Sequence, residues 1–430
     1  MMPEAKPNIL FITTDEQRWD QIGITGLTGI ETPNMDRLAR EGVCLTRAYS
    51  ASPTCTPCRV TMLTGQYPSI HGAYTIGVTP DPFPRPLLTE TLQDSGYYTA
   101  LVGKHHFVQR CKEEEHLGAP ENDADKMDYY RRWHGPWLGF DEVYASSGHT
   151  KSGNPKQHYR VWLEERHNDY EKYFPELGGT APAYGAWHLP AELSDSAFVS
   201  ERISKIIEEQ KDQNWFCWAS FQDPHGPFVC PKEWFERVDT EAMPEPMEGY
   251  RKGEFDDRPK FYAKIHAANE QWGEKSYRVD GLELGGVYGH AEDVENERTI
   301  MQVEAGLVGM LDHYIGEMLK TLERTGQLDN TIIILTSDHG TMLGHHGLWG
   351  KGMAAYEDCQ RVPFIAWGKP IERRGVKDDL ANVADIPRTI LSLCGCEIPQ
   401  GMQGTDLGNY LRGETDQTVE ATLIEYRASQ

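Results

Sequence analysis

Short runs dense in β-branched and aromatic residues alternate along the chain with longer stretches whose apolar positions recur every three or four residues. The runs Asn8–Thr14, Tyr97–Gly103, Trp215–Phe221, Thr331–Ser337 and Val362–Trp367 read as strands. Helical spacing runs through Asn34–Glu41, Leu87–Ser95, Ser194–Gln210, Asn296–Thr325 and Ala384–Cys394. In the longest of these, Ile300, Val303, Leu307, Leu311 and Ile315 share one face, and Gly326 and Asn330 end it. Strand and helix in alternation predict an α/β fold with a mostly parallel central sheet flanked by helices. Two stretches break the rhythm, 112–186 and 231–292. They are polar and aromatic without periodicity, and read as long insertions over the strand ends. Thr422–Tyr426 reads as one more strand.

Charge narrows the function. Among 430 residues there are 42 lysines and arginines against 66 acidic residues, a formal net charge of −24. Such a chain offers no electrostatic footprint for nucleic acid or an anionic membrane. Any anionic ligand must be caught by a local cationic pocket. No apolar run approaches the roughly 18 residues of a membrane span. The start, Met1–Pro7, has no basic leader followed by a long apolar stretch, which reads as a cytoplasmic chain as given. A trimmed leader would leave a similar start and place the protein in the periplasm or outside the cell. Nine cysteines spread over this length do not form a disulfide framework, and Cys44, Cys217, Cys359 and Cys394 read as core thiols. Trp133, Trp137 and Trp187, in or beside the first insertion, are candidates for stacking on a sugar ring.

Candidate chemistry collects where strands end. The first strand runs into Asp15-Glu16 and the fourth into Asp338-His339-Gly340. Three carboxylates and an imidazole converging from separate strands suit a hard divalent cation. Between them lies Ser52-Pro53-Thr54-Cys55-Thr56-Pro57-Cys58-Arg59, a loop entering a helix that Gly65 ends. A cysteine at a helix N-terminus beside an arginine is a reactive thiol. It fits either a C-x-x-C redox pair, Cys55 with Cys58, or a C-x-P-x-R pattern whose cysteine is oxidised to an aldehyde. His345-His346 lack the partners of a zinc site and read as a loop beside these groups.

Cys55-Thr56-Pro57-Cys58-Arg59, with Thr64-Gly65 following, resembles the signature of the type I sulfatases of the alkaline phosphatase superfamily. Thr32-Pro33-Asn34-Met35-Asp36-Arg37-Leu38 looks like that family's helix after the first strand, and Gly103-Lys104-His105-His106 like its G-K-x-H element. Asp223-Pro224-His225, Ser337-Asp338-His339-Gly340, Lys351, Arg361-Val362-Pro363-Phe364 and Met402-Gln403-Gly404 follow in the family's order. The resemblance implies an alkaline phosphatase-like catalytic domain over residues 1–421. Residues 422–430 would then begin a small antiparallel C-terminal subdomain that is short or missing.

The same resemblance implies a sulfuric ester hydrolase in which a formylglycine-generating maturase converts Cys55 to formylglycine. The hydrated aldehyde attacks sulfur with one hydroxyl, and its second hydroxyl provides the exit. Asp15, Asp338, His339 and the modified Cys55 would hold one divalent cation, Ca²⁺ first, with Mg²⁺ or Mn²⁺ as alternatives. Glu16, where many relatives carry aspartate, is a further candidate ligand. Arg59 would hold the formylglycine, and Lys104, His106, His225 and Lys351 would surround the sulfate. His225 or Lys351 would protonate the leaving alcohol and His106 would assist release, with Trp349 bracing Lys351. The substrate would be a sulfated small molecule or saccharide. Two other readings stand beside this one: a phosphonate monoester hydrolase or phosphodiesterase with the same machinery, and a thiol–disulfide protein using Cys55 and Cys58.

Overall fold

The computed structural model describes residues 6–76, 78, 80, 82–108, 127–146, 155–182, 184–244, 253–260, 262–263, 278–279, 282–283, 287–289, 294–352 and 355–427. Large parts of both expected insertions lie outside these residues. Apart from Thr422–Tyr426, the predicted strands and helices form, with ends shifted by a few residues. Among the described residues one sheet of nine strands dominates. In chain order they are β1 (Asn8–Asp15), β2 (Val43–Tyr49), β3 (Tyr98–Gly103), β4 (Glu142–Ala145), β5 (Trp215–Pro224), β6 (Thr331–Ser337), β7 (Arg361–Val362), β8 (Phe364–Trp367) and β9 (Gly375–Asn382). Strands β6, β1, β5, β3 and β4 run parallel as neighbours in that order. Beyond β6, β8 is antiparallel to both β6 and β2, and β9 returns parallel to β2. The sheet is therefore mixed but mostly parallel. The expected run Val362–Trp367 is broken at Pro363, which has no N–H to give to a ladder.

Six helices matter for the site: α1 (Pro33–Glu41), α2 (Cys55–Thr64), α3 (Leu88–Asp94), α4 (Asp195–Glu209), α5 (Val294–Arg324) and α6 (Ile386–Leu393). The two-residue period of β1 shows how they are layered. Leu10 and Ile12 face a core shared with Leu38 of α1, Ile203 of α4 and Leu307 and Leu311 of α5. Ile9 and Phe11 face the opposite core, with Val60 of α2, Leu92 of α3 and Ile390 of α6. Helix α1 is capped from outside its own segment: Asp312 on α5 accepts the Asn34 and Met35 amides at 3.2 and 2.7 Å. With both faces covered, the strand ends are the open place for a ligand.

Several expectations change here. Trp187 and Trp137 are buried, Trp187 edge-on to Phe174 and donating to the Tyr173 carbonyl, and Trp137 packed on His105 and Phe107. Trp133 lies parallel to Tyr129 and packs against the second core. Trp137 and Trp187 serve the core rather than a sugar platform. Among the described residues Thr422–Tyr426 pairs with no strand. It runs as irregular chain, its Glu425 amide reaching the Ala51 carbonyl at 2.8 Å and its Glu425 carboxylate accepting from Ser69. Among the described residues no helix is long and apolar enough to cross a membrane.

His158, on the insertion helix Gln157–Arg166, ties that insertion to the sheet edge. Its Nδ1 accepts the Ala145 amide at 2.9 Å and its Nε2–H donates to the Trp133 carbonyl at 2.7 Å. Acceptance at Nδ1 requires the neutral ring, and burial pulls its pKa down to about 3. His71, also buried, is pulled down to about 4. The unfolded chain takes up these protons below its ordinary value of about 6.5, where the folded chain does not. Stability is therefore full above that pH and falls as pH drops toward the folded values, by up to about 1.4 kcal/mol per unit for each ring. Urea midpoints at pH 7.5 and 5.5 should show the drop, and His158→Asn should shrink it. An unchanged slope in that variant would contradict the assignment.

Candidate active site

Four donor atoms meet at the strand ends. Asp15, Cys55, Asp338 and His339 each place one ligand atom so that all four lie within 4.8 Å of one another, and all four residues are buried. Asp15 closes β1, Asp338 and His339 follow β6, and β1 and β6 pair in parallel register. Cys55 is the first residue of α2, a helix buried along its whole length, so its side chain sits at the positive end of the helix dipole.

Second contacts fix these donors. The Asp338 carboxylate accepts the Glu16 and His339 amides at one oxygen, at 3.2 and 2.9 Å, and Arg59 Nε at the other, at 2.8 Å. Arg59 also donates from Nη1 to Ser220 Oγ at 2.7 Å and to the Lys104 carbonyl at 3.2 Å. His339 Nδ1–H donates to the Gly340 carbonyl at 2.9 Å, which turns Nε2 toward Cys55 Sγ, 3.2 Å away. A side chain at residue 340 would place its Cβ 1.9 Å from the Asp358 carbonyl, so this approach requires glycine. Gly103 serves the same end on β3. Its φ is +103°, a Cβ there would meet the Ser220 carbonyl at 1.9 Å, and the turn delivers Lys104 to Asp15.

The remaining expected residues gather around this group. Lys104 pairs with Asp15, and Lys351 donates to Cys55 Sγ at 3.0 Å and contacts His225 Nε2 at 2.8 Å. A register irregularity between β1 and β5 sets Pro224 opposite Asp15, which brings His225 to the same place. His106 stands two residues after Lys104 with φ +53°, a left-handed conformation uncommon outside glycine and found often at functional positions. Glu16, expected among the ligands, turns elsewhere: its carboxylate contacts Lys351 and lies 3.0 Å from His225 Nε2.

The electrostatics follow from this packing. Burial and Asp15 oppose ionisation of Cys55, but Lys104, Lys351 and His339 outweigh them and bring the thiol down to about 5. Burial and Asp338 push Cys58 up to about 12, and its sulfur lies 3.3 Å from the Ser50 hydroxyl oxygen. Cys58 is thus a protonated core thiol, and both cysteines are free. Burial would lower His339, yet the Asp338 carboxylate raises it to about 9. Burial, then Lys104 and Arg59, hold His106 well below its ordinary range, so it is neutral.

Oxygens from two carboxylates plus one imidazole nitrogen are a donor set for a hard or borderline divalent cation, with Cys55 in the remaining position. Two buried donors of the site residues, Arg59 Nη2 and His106 Nδ1, have no partner among the described residues, as expected of groups that await an anion. His345 and His346 do not join the site. They pair with Asp358 and Glu254. His105 is packed edge-on to Trp137, and Trp349 is buried against Phe228 just before Lys351. Ser220 and Ser50, which hold Arg59 and the Asp338 carbonyl, carry no motif in the sequence. Their one signal is a hydroxyl placed within or beside an apolar run.

A mixed, mostly parallel α/β sheet with a buried cluster of possible ion ligands at its strand ends has the alkaline phosphatase-like fold. The Sulfatase family pattern matches residues 7–396, and the chain belongs to that family, a sulfuric ester hydrolase. It is 28% identical over 425 residues to the arylsulfatase of Clostridium perfringens, covering 94% of this chain and 78% of that protein. The N-acetylglucosamine-6-O-sulfatase of Bacteroides thetaiotaomicron is 27% identical over 422 residues, with 95% and 71% covered. Among solved structures, the phosphonate monoester hydrolase of Silicibacter pomeroyi superposes with a TM-score of 0.74 at 26% identity, covering 96% of this chain and 78% of that one.

The Arg59–Asp338 pair has no exposure on either side. Replacing Arg59 by methionine strands a buried carboxylate and should lower the unfolding free energy of the metal-free protein by about 3–5 kcal/mol. Urea denaturation measures this. A loss under about 1 kcal/mol would show that the pair does not hold α2 to the sheet.

Proposed function

We propose that this sulfatase acts through a formylglycine formed from Cys55 on a sulfated carbohydrate, with Ca²⁺ held by Asp15, Asp338, His339 and the matured residue. The observation that carries the reading is the position of Cys55. It lies at a helix N-terminus, 3.2 Å from His339 Nε2, 3.0 Å from Lys351 Nζ and 3.7 Å from Asp15 Oδ1. When bound, the cation polarises a sulfate oxygen and favours ionisation of a neighbouring hydroxyl. The maturase, using an external two-electron oxidant, oxidises Cβ of Cys55 and releases its sulfur, and the hydrate of the resulting aldehyde offers one hydroxyl to attack the sulfate ester and another to open the exit.

The other residues take roles from their contacts. Arg59 holds Asp338 with Nε and keeps Nη2 for a sulfate oxygen. Lys104 and Lys351 supply the local positive charge that an anion needs in a chain of net charge −24. Lys351 and His225 stand together where the leaving alcohol takes its proton, and neutral His106 is placed to accept one as sulfate departs. Each cation is matched by a carboxylate: Arg59 by Asp338, Lys104 by Asp15, Lys351 by Glu16. This balance favours esters that bring one negative charge over phosphate monoesters that bring nearly two.

Sulfate monoesters and phosphonate monoesters both meet that condition, and the likeness to a phosphonate monoester hydrolase keeps the second reading open. Carbohydrate is favoured by the similarity to an N-acetylglucosamine-6-O-sulfatase. Protein matured by a formylglycine-generating enzyme should hydrolyse N-acetylglucosamine 6-sulfate with kcat/KM at least about 10-fold above a phenylphosphonate monoester. Cys55→Ala should lose at least about 10³-fold. A faster phosphonate reaction would select the second reading, and an active Cys55→Ala variant would remove the nucleophile from the account.

A further inference from the structure

The geometry points to Glu16 as a positioning residue that clamps Lys351 and His225 on the leaving-group side, outside the ligand set of the ion. The inference rests on the metal-assisted reading of the site but assigns this carboxylate a different task from its neighbour Asp15. Four observations lead to it. The four ligand atoms that converge within 4.8 Å come from Asp15, Cys55, Asp338 and His339, without Glu16. The backbone at Glu16 has φ +67°, a left-handed conformation that a glutamate adopts only when its surroundings hold it there. That turn directs the Glu16 amide, not its carboxylate, to the ligand set: the N–H donates to Asp338 Oδ1 at 3.2 Å. The carboxylate meets Lys351 Nζ and His225 Nε2 with the same oxygen, Oε1.

An ammonium has three protons, and at Lys351 each has an acceptor: Cys55 Sγ, His225 Nε2 and Glu16 Oε1. With Glu16 in place, the ammonium cannot rotate freely, and one N–H stays aimed at the residue that becomes the nucleophile. His225 is held from its other side, because Nδ1–H donates to the Gly226 carbonyl at 2.6 Å. Nζ, Nε2 and Oε1 thus stand as a triangle in which Lys351 donates to both partners, and the 3.0 Å approach of Oε1 to Nε2 becomes a hydrogen bond only when the His225 ring is protonated. The extra methylene that distinguishes glutamate from aspartate gives the carboxylate the reach to make it. As the S–O bond to the alcohol breaks, the bonding pair stays on that oxygen, and the proton it needs comes from a nitrogen of this triangle.

Calcium titration of metal-free protein by calorimetry separates clamp from ligand without reference to turnover. Asp15→Asn should weaken calcium binding by at least about 100-fold, and Glu16→Gln by less than about 5-fold. In the matured enzyme, Glu16→Gln should lower kcat about 100-fold for a sugar sulfate, whose alkoxide needs a proton, and less than about 5-fold for 4-nitrophenyl sulfate, whose phenolate leaves unaided, with KM little changed. Loss of calcium affinity in Glu16→Gln matching that of Asp15→Asn would make Glu16 a ligand and overturn the proposal. An equal fall in kcat on both substrates would reduce Glu16 to a structural part and overturn it as well. Failure of the sulfatase mechanism itself would be read separately, as a wild-type enzyme that binds calcium yet hydrolyses neither ester. A wild-type protein that binds no calcium would contradict the ion site and the clamp together.

Discussion

The buried contact between Arg59 and Asp338 joins the two halves of the site. Arg59 belongs to the first turns of α2, Asp338 to the loop after β6, and neither side chain is exposed. Two ions removed from water at this depth hold only when every remaining donor and acceptor finds a partner. The structure meets that demand almost fully: Asp338 takes two backbone amides besides the guanidinium, and Arg59 reaches Ser220 and the Lys104 carbonyl. The one donor left over, Arg59 Nη2, belongs to the site. Through this pair the N-terminus of α2, and Cys55 with it, is held against the ends of β1 and β6. Lys104 is drawn in through its own carbonyl.

Charge explains why so many ionisable groups tolerate burial together. Asp15, Glu16 and Asp338 face Lys104, Lys351 and Arg59, so the protein's own charges nearly cancel before any ion or substrate arrives. The cancellation is local. The surface of a −24 chain repels anions, and the pocket offers a charge balance that an added cation tips toward a singly charged ester.

How much of this the sequence displays depends on which physical signal each part leaves. Strands β1 and β6 are buried on both faces and show as apolar-centred runs followed by acidic residues, so both the strands and the carboxylates that gather at their ends were legible. Strand β9 was not, because its charged residues Lys377, Asp378 and Asp379 suit a sheet edge and leave no apolar pattern. The C-x-P-x-R loop, Lys104, His225 and Lys351, which the fold gathers in one place, stood out because resemblance supplied the spacing that periodicity lacks. Trp137 and Trp187 misled, since an aromatic residue in an irregular stretch looks the same whether it packs inward or faces a ligand. The direction of the Glu16 carboxylate was invisible for a sharper reason. It goes with a left-handed backbone at Glu16, and no residue pattern announces a glutamate at φ +67°.

The central claim is that Cys55 is the residue that becomes the nucleophile, and the peptide Ala48–Arg59, released by trypsin after Arg47 and Arg59, tests it most directly. In protein co-expressed with a formylglycine-generating maturase, replacing the thiol by an aldehyde lowers that peptide's mass by about 18 Da. The account expects this loss, located at Cys55 and not at Cys58. A peptide that retains both thiols under those conditions would contradict it.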